Sequence, residues 1–409
     1  MNNSFFNRLN KQIWPLAIAR FIRAMGRVSA GLFMPIILLS IYHFSFLDIG
    51  IISGAVVLLM AIIQYYSGKW TDRIGRKAFF IWVPIPVALM YFVMFYTVFV
   101  RGNVLFLITG WLFTISLNST QYPAIQAAIA DVTDFEDRFS GYTLVRVMVN
   151  AGAAIGPLIG GFLSIFSLSY IFLVAAIATI AELFILYYMV EETYIPDKNI
   201  NKKTKKRYGI GFADFDNRFL LLFSGIGIVF SFFLRQRGPT FTLFTFYFKN
   251  LPILDIGYIF ALNGILVVLF QYPLYYIMDR KSTMLHWRAM GALVYAISYL
   301  VIPFAFSLYD FLFVMTIMTL GEDFVAPTTQ TIITTIAPSN KRGTYIGIYN
   351  LITSFGSFAG TIIGLYFVSA YPFYFWFAVA FGMLIIATLY IMISNLYIKE
   401  REKAKLRKS

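Results

Sequence analysis

Nine charged side chains interrupt long apolar stretches of this chain and could bind an anion or carry a proton. Six are basic and three are acidic: Arg20, Arg23, Arg27, Arg146, Arg235 and Arg237, and Glu182, Glu322 and Asp323. An arginine stays charged and holds a carboxylate or phosphate with two parallel hydrogen bonds, whereas a buried carboxyl group can bind and release a proton. A charge inside an apolar segment costs free energy, so each residue is a candidate functional group.

The most central arginines are predicted to bind an anionic substrate. Arg27 lies near the middle of the first apolar segment, and Arg235 and Arg237 lie near the middle of the seventh. Cations on two such helices that face one cavity would suit an anion. Asn118 and Gln121, in the fourth segment, could line the same cavity or could instead hydrogen-bond to neighbouring helices.

The three acids are predicted to bind and release the proton that couples to the function of the protein. Glu322 lies about midway along the tenth segment and is the first candidate, with Asp323 and Glu182 behind it. The alternative is that these acids and the arginines neutralise one another in a buried network that does not contact the substrate.

Charged residues nearer the helix ends are predicted to have structural roles. Arg20 and Arg23 lie close to the start of the first segment, where a long side chain can reach the membrane surface. Arg146 lies at a similar depth in the fifth segment, and Asp131 is its predicted ion-pair partner.

The composition requires a membrane around these charges. The chain has 409 residues, of which 59% are hydrophobic and 13% charged, whereas soluble domains are about 45–50% apolar and about 25% charged. It contains no cysteine and only two histidines, His43 and His286, which excludes disulfides, cysteine zinc sites and iron–sulfur clusters. No P-loop motif is present. We therefore predict no metal, no cofactor and no ATP-driven step.

Twelve apolar segments are long enough to cross a bilayer, which takes about 20 residues. They span residues 13–41, 48–67, 78–100, 104–130, 139–165, 168–190, 218–247, 253–277, 285–306, 309–335, 343–369 and 372–397. Basic residues crowd the connections on one side, Arg288 among them, whereas Arg101 and Lys249 lie on the other. The positive-inside rule makes the crowded side cytoplasmic. A multi-pass protein of the plasma membrane with both termini in the cytoplasm is predicted.

The chain contains an internal repeat. Asp48-Ile49-Gly50 recurs as Asp255-Ile256-Gly257, and Gly152, Gly156 and Gly160 recur as Gly356, Gly360 and Gly364. Both copies begin on the same side, so the repeat is parallel. We predict six-helix bundles over 1–190 and 218–397, a basic linker over 191–217 and a basic tail over 398–409. These basic segments are expected to contact anionic lipid and no nucleic acid.

The loop between the second and third segments carries a motif. Gly68-Lys69-Trp70-Thr71-Asp72-Arg73-Ile74-Gly75-Arg76-Lys77 resembles the cytoplasmic signature loop of the major facilitator superfamily, G-x-x-x-D-R-x-G-R-[KR]. The resemblance implies a gating role for the motif residues Gly68, Asp72, Arg73, Gly75, Arg76 and Lys77. In the second half the loop is degraded to Met278-Asp279-Arg280-Lys281 and lacks both glycines.

Two further stretches resemble exporters of that superfamily. The fifth segment contains Gly152, Gly156, Pro157, Gly160 and Gly161, a pattern similar to the motif of many proton-coupled antiporters, which implies gating. The alternative is helix packing alone, because the glycines recur without the proline in the second half. The tenth segment, with Gly321-Glu322 ahead of Pro327, resembles multidrug-exporter-like members.

These observations predict an all-α polytopic membrane protein with two pseudo-symmetric six-helix bundles, acting as a secondary active transporter by alternating access. Proton-coupled export of a small organic compound is the first hypothesis. Antiport or uptake of an organic or phosphorylated anion held by the central arginines is the alternative. A membrane-embedded enzyme or a channel is a third class. The expected partners are a solute, a proton or other ion, and lipid, and a monomer is expected.

Overall fold

The structure, a computed structural model, describes residues 11–133, 138–193, 217–281, 284–337 and 342–406. These residues contain fifteen α-helices. They are α1 Ile13–Ser40, α2 Phe46–Ile74, α3 Arg76–Trp82, α4 Pro84–Phe99, α5 Val104–Asp131, α6 Arg138–Leu163, α7 Tyr170–Met189, α8 Arg218–Leu234, α9 Pro239–Leu243, α10 Ile253–Lys281, α11 Met284–Val301, α12 Leu308–Ile336, α13 Arg342–Ala370, α14 Tyr374–Met392 and α15 Ser394–Leu406.

Twelve helical spans among the described residues are long and apolar enough to cross a membrane, which confirms the predicted number. Two of them are less regular than their sequences predict. The third span joins α3 and α4 at Val83 and Pro84. The seventh joins α8, a 3-10 turn over Arg235–Arg237, α9 and a π-helical turn over Phe244–Phe248. Gly238-Pro239 interrupts the helical hydrogen bonds there, because proline has no N–H to donate.

Polar caps begin α2 and α12, two of the helices that start on the face opposite the first residues of α1 and the end of α14. We call this face the far face and the other one the terminal face. The Ser45 side chain accepts a hydrogen bond from the N–H of Asp48, whose carboxylate accepts one from the N–H of Ser45. Ser307 and Asp310 cap α12 in the same way. These reciprocal bonds satisfy N–H groups that the first turn leaves free.

The two halves repeat one glycine contact. In the first half, Gly152 and Gly156 of α6 lie against the main-chain carbonyls of Phe21 and Met25 on α1. In the second half, glycines 356 and 360 of α13 lie in the same way against the carbonyls of residues 228 and 232 on α8. Because glycine has no side chain, the helix backbones meet directly.

Gly356→Ala is expected to destabilise the second half, since a Cβ at this position would collide with the Ile228 carbonyl. Overpacking of this kind costs about 1–3 kcal/mol. Gly347→Ala, on the same helix, is the matched control because nothing lies within 4 Å of its added Cβ. Thermal unfolding in detergent should show a lower melting temperature for Gly356→Ala and an equal or higher one for Gly347→Ala. Equal melting temperatures for the two variants would contradict the close contact.

Within the described residues the halves meet mainly along two helix pairs, α2 with α13 and α6 with α10, and less extensively where α1 meets α9. A Cβ added to Gly50 would lie 3.1 Å from the Cα of Ile362, and one added to Gly161 would lie 3.1 Å from the Cα of Leu254. Phe46 also packs edge-on against Tyr247, with 5.5 Å between ring centroids. These contacts lie toward the far face, where α2 and α10 begin, so the halves are pressed together on that side.

Arg288 was predicted to lie in a connection between spans, and this prediction is wrong. It lies in α11 and is 2% exposed. Its guanidinium donates to the hydroxyls of Thr328 and Tyr349, at 3.3 and 3.1 Å, and lies over the rings of Phe230 and Tyr390. Aromatic faces and hydroxyl oxygens stabilise this buried cation.

Candidate functional site

Each half contributes a cavity midway along its spans. The first-half cavity has a volume of about 310 Å³ and is lined by α1, α2, α4 and α5. The second-half cavity has a volume of about 360 Å³ and is lined by α8, the 3-10 turn, α10, α12 and α13. The arginines of the first span line one, and Arg235 and Arg237 line the other.

Glu182 forms ion pairs with two of the arginines on α1, and its single negative charge balances one of their two positive charges. Its side chain is 0% exposed and forms an ion pair with Arg23, and its Oε1 lies 3.3 Å from Nη1 of Arg20. Arg23 is 2% exposed, so it does not reach the membrane surface as the sequence analysis expected. The acid on α7 draws both guanidinium groups inward.

Arg27 is placed differently from Arg20 and Arg23, although it lies one turn further along the same helix. Its side chain is exposed and lines the first-half cavity. Within the described parts of the chain, no carboxylate lies within 4 Å of its guanidinium. Arg27 therefore presents a free positive charge to the cavity.

The 3-10 turn of the seventh span directs its two arginines to different helices. Nη2 of Arg237 donates to Oε1 of Glu322 at 2.8 Å, a second contact joins the same two side chains, and Nη1 donates to the Tyr295 hydroxyl at 3.0 Å. Arg235 instead donates from Nε to the Thr361 hydroxyl at 3.2 Å and lines the cavity. Among the described residues Arg235 has no carboxylate partner. Hence Arg237 is neutralised and Arg235 is not.

The two adjacent acids of α12 have opposite surroundings. Glu322, the first candidate for the proton, also accepts a hydrogen bond from Nδ2 of Asn263 at 3.1 Å, so Arg237 and Asn263 together occupy its carboxylate. Asp323 is 1% exposed, and within the described residues neither of its oxygens has a hydrogen-bond partner. The buried-network alternative thus describes Glu182 and Glu322 but does not describe Asp323.

The two polar candidates of the fourth span, Asn118 and Gln121, lie in different surroundings. Asn118 lines the first-half cavity beside Tyr91 and Trp111. Gln121 is 0% exposed, accepts a hydrogen bond from Arg20 at 3.4 Å and donates to the Phe79 carbonyl at 3.2 Å. Gln121 therefore holds helices together and does not face the cavity, because its amide satisfies a carbonyl of α3.

Part of the signature loop is tied to the end of the first half. Gly75 has a φ angle of 96°, a left-handed conformation that favours glycine. The Glu192 carboxylate accepts hydrogen bonds from the main-chain N–H groups of Arg76 and Lys77, both at 3.0 Å. Nε of Arg76 lies 3.1 Å from Oδ2 of Asp131. The predicted pairing of Asp131 with Arg146 is therefore wrong.

The remaining loop residues and the glycine stretch have different positions. Gly68, Asp72 and Arg73 lie on α2, but the side-chain positions at these three residues lie outside the described residues. Gly152, Gly156 and Gly160 contact α1 within the first half, as the helix-packing alternative holds. Pro157 and Gly161 contact α10 across the interface between the halves, at Gly257 and Leu254.

Sequence reasoning missed three polar residues that organise the spans. Asn263 orients Glu322 and Thr319, Tyr295 binds Arg237, and Gln236 donates to the carbonyl of Gly360 at 2.8 Å. A polar side chain in the middle of an apolar span was the available signal for Asn263 and Gln236.

The sequence and the fold both match known transporters. A family model described as Major Facilitator Superfamily matches residues 16–361 and 289–409. The chain is 26% identical to Multidrug resistance protein 1 of Bacillus subtilis, over 87% of this chain and 90% of that protein. It is 23% identical to Quinolone resistance protein NorA of Staphylococcus aureus, over 87% and 89%. An uncharacterized MFS-type transporter of B. subtilis, YttB, is 25% identical over 83% of each chain.

Solved structures share the fold. A POT family transporter in complex with 5-aminolevulinic acid superposes with a TM-score of 0.78 at 13% identity, covering 94% of this chain and 96% of that one. A peptide transporter POT in complex with sulfate gives 0.74 at 14% identity, covering 95% of each chain. At these identities the likeness concerns the architecture of two six-helix bundles.

Proposed function

The chain belongs to the Major Facilitator Superfamily of membrane transporters, and from this premise we propose that it exports small organic anions in exchange for protons. It is a secondary transporter and a multi-pass membrane protein. In this proposal the face that carries the termini is cytoplasmic, the two halves alternately expose one central site, and the chain catalyses no chemical conversion.

The unpaired arginines carry the proposal. Five arginines lie deep in the first and seventh spans, and three of them, Arg20, Arg23 and Arg237, form ion pairs with the acids Glu182 and Glu322. Arg27 and Arg235 are left, one in each half, and both face a cavity. In each cavity, a guanidinium group without a carboxylate partner favours an anion over a cation. Thr361 orients the fork of Arg235 for two-pronged binding.

Apolar walls support an organic cargo. In the second half Phe260, Met315 and Met318 line the cavity beside Arg235. In the first half Tyr91 and Trp111 line the cavity that Arg27 faces. Aromatic rings and flexible thioethers accommodate apolar bodies of varied shape. The lining therefore suits an anion with an aromatic or aliphatic body better than a bare inorganic ion.

Export is supported by the relatives and by the state of the structure. The names of two similar proteins describe multidrug and quinolone resistance. The halves are closed together on the far face, so a cavity entered from the terminal face would receive its solute from the cytoplasm. The competing proposal is uptake or exchange of a phosphorylated anion through the same arginines.

The first test compares binding of an anion and its neutral analogue. Salicylate is expected to raise the melting temperature of the purified protein, because a ligand that binds the folded state stabilises it, whereas salicylamide is not. Arg27→Gln and Arg235→Gln should each weaken salicylate binding about tenfold to a hundredfold, the worth of a charge-assisted hydrogen bond. Arg101→Gln, outside the spans, is the control. Equal stabilisation by both compounds would contradict anion selectivity.

A flux experiment separates the remaining alternatives. In proteoliposomes, salicylate movement driven by a pH gradient should saturate and should run opposite to the proton flux. Movement in the same direction as protons would favour uptake. Non-saturating flux that ignores the pH gradient would favour a channel. Chemical change of the probe would favour an enzyme.

A further inference from the structure

Asp323 is a buried carboxyl group that the network around the arginines leaves out. Its neighbour Glu322 binds Arg237 and Asn263, whereas both oxygens of Asp323 lack hydrogen-bond partners among the described residues. An ionised carboxylate without a partner is very costly in a protein interior. Two states avoid this cost, one with a proton on the carboxyl group and one with a cation brought next to it.

A suitable cation lies on the opposite half. Arg146 of α6 is exposed and forms no ion pair within the described residues. Along α6, Gly152 and Gly156 face α1, whereas Ala154, Pro157 and Gly161 face α10. Successive residues advance by about 100°, since 3.6 residues complete a turn, and this places position 146 between the two faces. Ile155 and Phe162, which are exposed, lie on the other side of the helix. Arg146 therefore points inward.

The charged residues that Arg146 faces identify Asp323 as its ion-pair partner. Arg146 interacts electrostatically with both Glu322 and Asp323 across the interface between the halves. In the part of the chain that the structure describes, the other ionisable groups that interact with Asp323 are Glu322 of α12 itself, Arg237 of the seventh span and Tyr295 of α11. Arg237 is already bound to Glu322, and a tyrosine such as Tyr295 cannot carry a positive charge. Arg146 is thus the cation that remains free to approach Asp323.

We propose that Arg146 and Asp323 form an ion pair between the halves when the terminal face closes, and that a proton on Asp323 replaces Arg146 when that face opens. The inference rests on the proposed proton-coupled function and names the groups that perform the coupling. As Arg146 approaches, the Asp323 hydroxyl bond breaks and its proton passes to water in the cavity. The structure, with Asp323 unpartnered and the far face closed, corresponds to the protonated state.

The ion pair between Arg146 and Asp323 sets the sequence of steps in the proposed transport cycle. A deprotonated, empty carrier is held with its terminal face closed by the ion pair, and a proton that arrives from the far face releases it. The carrier then opens to the terminal face and receives its solute there. Arg146 acts as a positioning residue, because it acts on the proton through Asp323 and not through the solute.

The test measures the opening of the terminal face without any solute. Because the chain has no cysteine, spin labels can be attached to Tyr188→Cys and Met392→Cys, both exposed at the terminal ends of α7 and α14. Distances between them, measured by double electron–electron resonance, should be longer at pH 5 than at pH 8. The ratio of open to closed molecules should change by up to about tenfold per pH unit, as expected for one linked proton.

Two substitutions should abolish this response. Asp323→Asn and Arg146→Gln are each expected to keep the long distance at both pH values, with a change in the ratio of less than about twofold. The reversed pair, Arg146→Asp with Asp323→Arg, should recover the short distance at pH 8. Asp255→Asn, at the far end of α10, is the control and should respond as the unsubstituted protein does. Arg146 is exposed, so its variant tests the pair even if Asp323→Asn does not fold.

A normal pH response in Arg146→Gln or Asp323→Asn would overturn the ion pair. That outcome leaves the proposed function intact if salicylate still binds through Arg27 and Arg235. Conversely, a protein that fails to bind salicylate but shows the expected pH responses would retain the ion pair and lose the proposed cargo.

Discussion

Glu182→Gln is expected to prevent most of the protein from folding. The substitution leaves Arg20 and Arg23 without their acid, and Arg23 is 2% exposed. Removing one partner of a buried ion pair costs about 3–5 kcal/mol, which is comparable to the whole stability of many domains, about 5–15 kcal/mol. Fluorescence-detected size exclusion should show loss of the monodisperse peak, and any remaining protein should unfold at a much lower temperature.

A second substitution should restore folding, because it removes the more deeply buried of the two stranded charges. Glu182→Gln combined with Arg23→Gln replaces the buried pair by two amides and should recover most of the monodisperse protein. Glu322→Gln is the informative comparison. The Glu322 and Arg237 side chains are 25% and 31% exposed, so water screens the cation left behind and the loss should be smaller. A Glu182→Gln protein as stable as the unsubstituted one would show that Glu182 does not hold the arginines of α1.

Joining the two halves on the far face is expected to stop transport completely. Gly161 of α6 and Leu254 of α10 approach within 3.1 Å, measured from a Cβ built on Gly161 to the Cα of Leu254. Their Cα atoms are therefore well inside the ~7 Å limit for a disulfide. Oxidation of Gly161→Cys with Leu254→Cys should reduce salicylate flux to the background of empty vesicles, because the far face can no longer open. A reducing agent should restore it.

A disulfide within one half is the matched control. Met94 of α4 and Gly110 of α5 are in close contact inside the first half, so Met94→Cys with Gly110→Cys should form a disulfide and leave the flux within about twofold of its reduced value. The absence of native cysteines removes competing reactions. Undiminished flux through the oxidised Gly161–Leu254 protein, with the disulfide verified by mass, would contradict alternating access by motion of the halves.

The number of spans and the nature of the chemistry could be read from the sequence. A helix in a bilayer satisfies its own backbone hydrogen bonds, so the length and hydropathy of each segment are enough to identify it, and twelve were found. Repeated local motifs such as Asp48-Ile49-Gly50 and Asp255-Ile256-Gly257 reveal the two halves. The few charges within the spans restricted the candidate site to a small set of arginines and acids, because such charges are costly and therefore rare.

The breaks within helices and the partners of charged side chains were harder to predict from the sequence. The seventh span was predicted as one continuous segment, yet Gly238-Pro239 divides it and sends Arg235 and Arg237 to different helices. Arg288 was counted with a connection, although side chains from four other helices enclose it. Its place depends on aromatic and hydroxyl groups that are distant in sequence, and hydropathy along the chain contains no information on those contacts.

The identity of the charged residues was thus determined by the sequence alone, and their state was decided by the tertiary structure. Arg23 and Arg27 lie one turn apart on α1, yet one meets Glu182 and the other faces a cavity. Glu322 and Asp323 are adjacent, yet only the first meets an arginine on its own half. Neighbours on a helix point in directions about 100° apart, and a charge in a membrane is neutralised only by a group within a few ångströms. Which arginine remains free for an anion therefore depends on how distant helices pack.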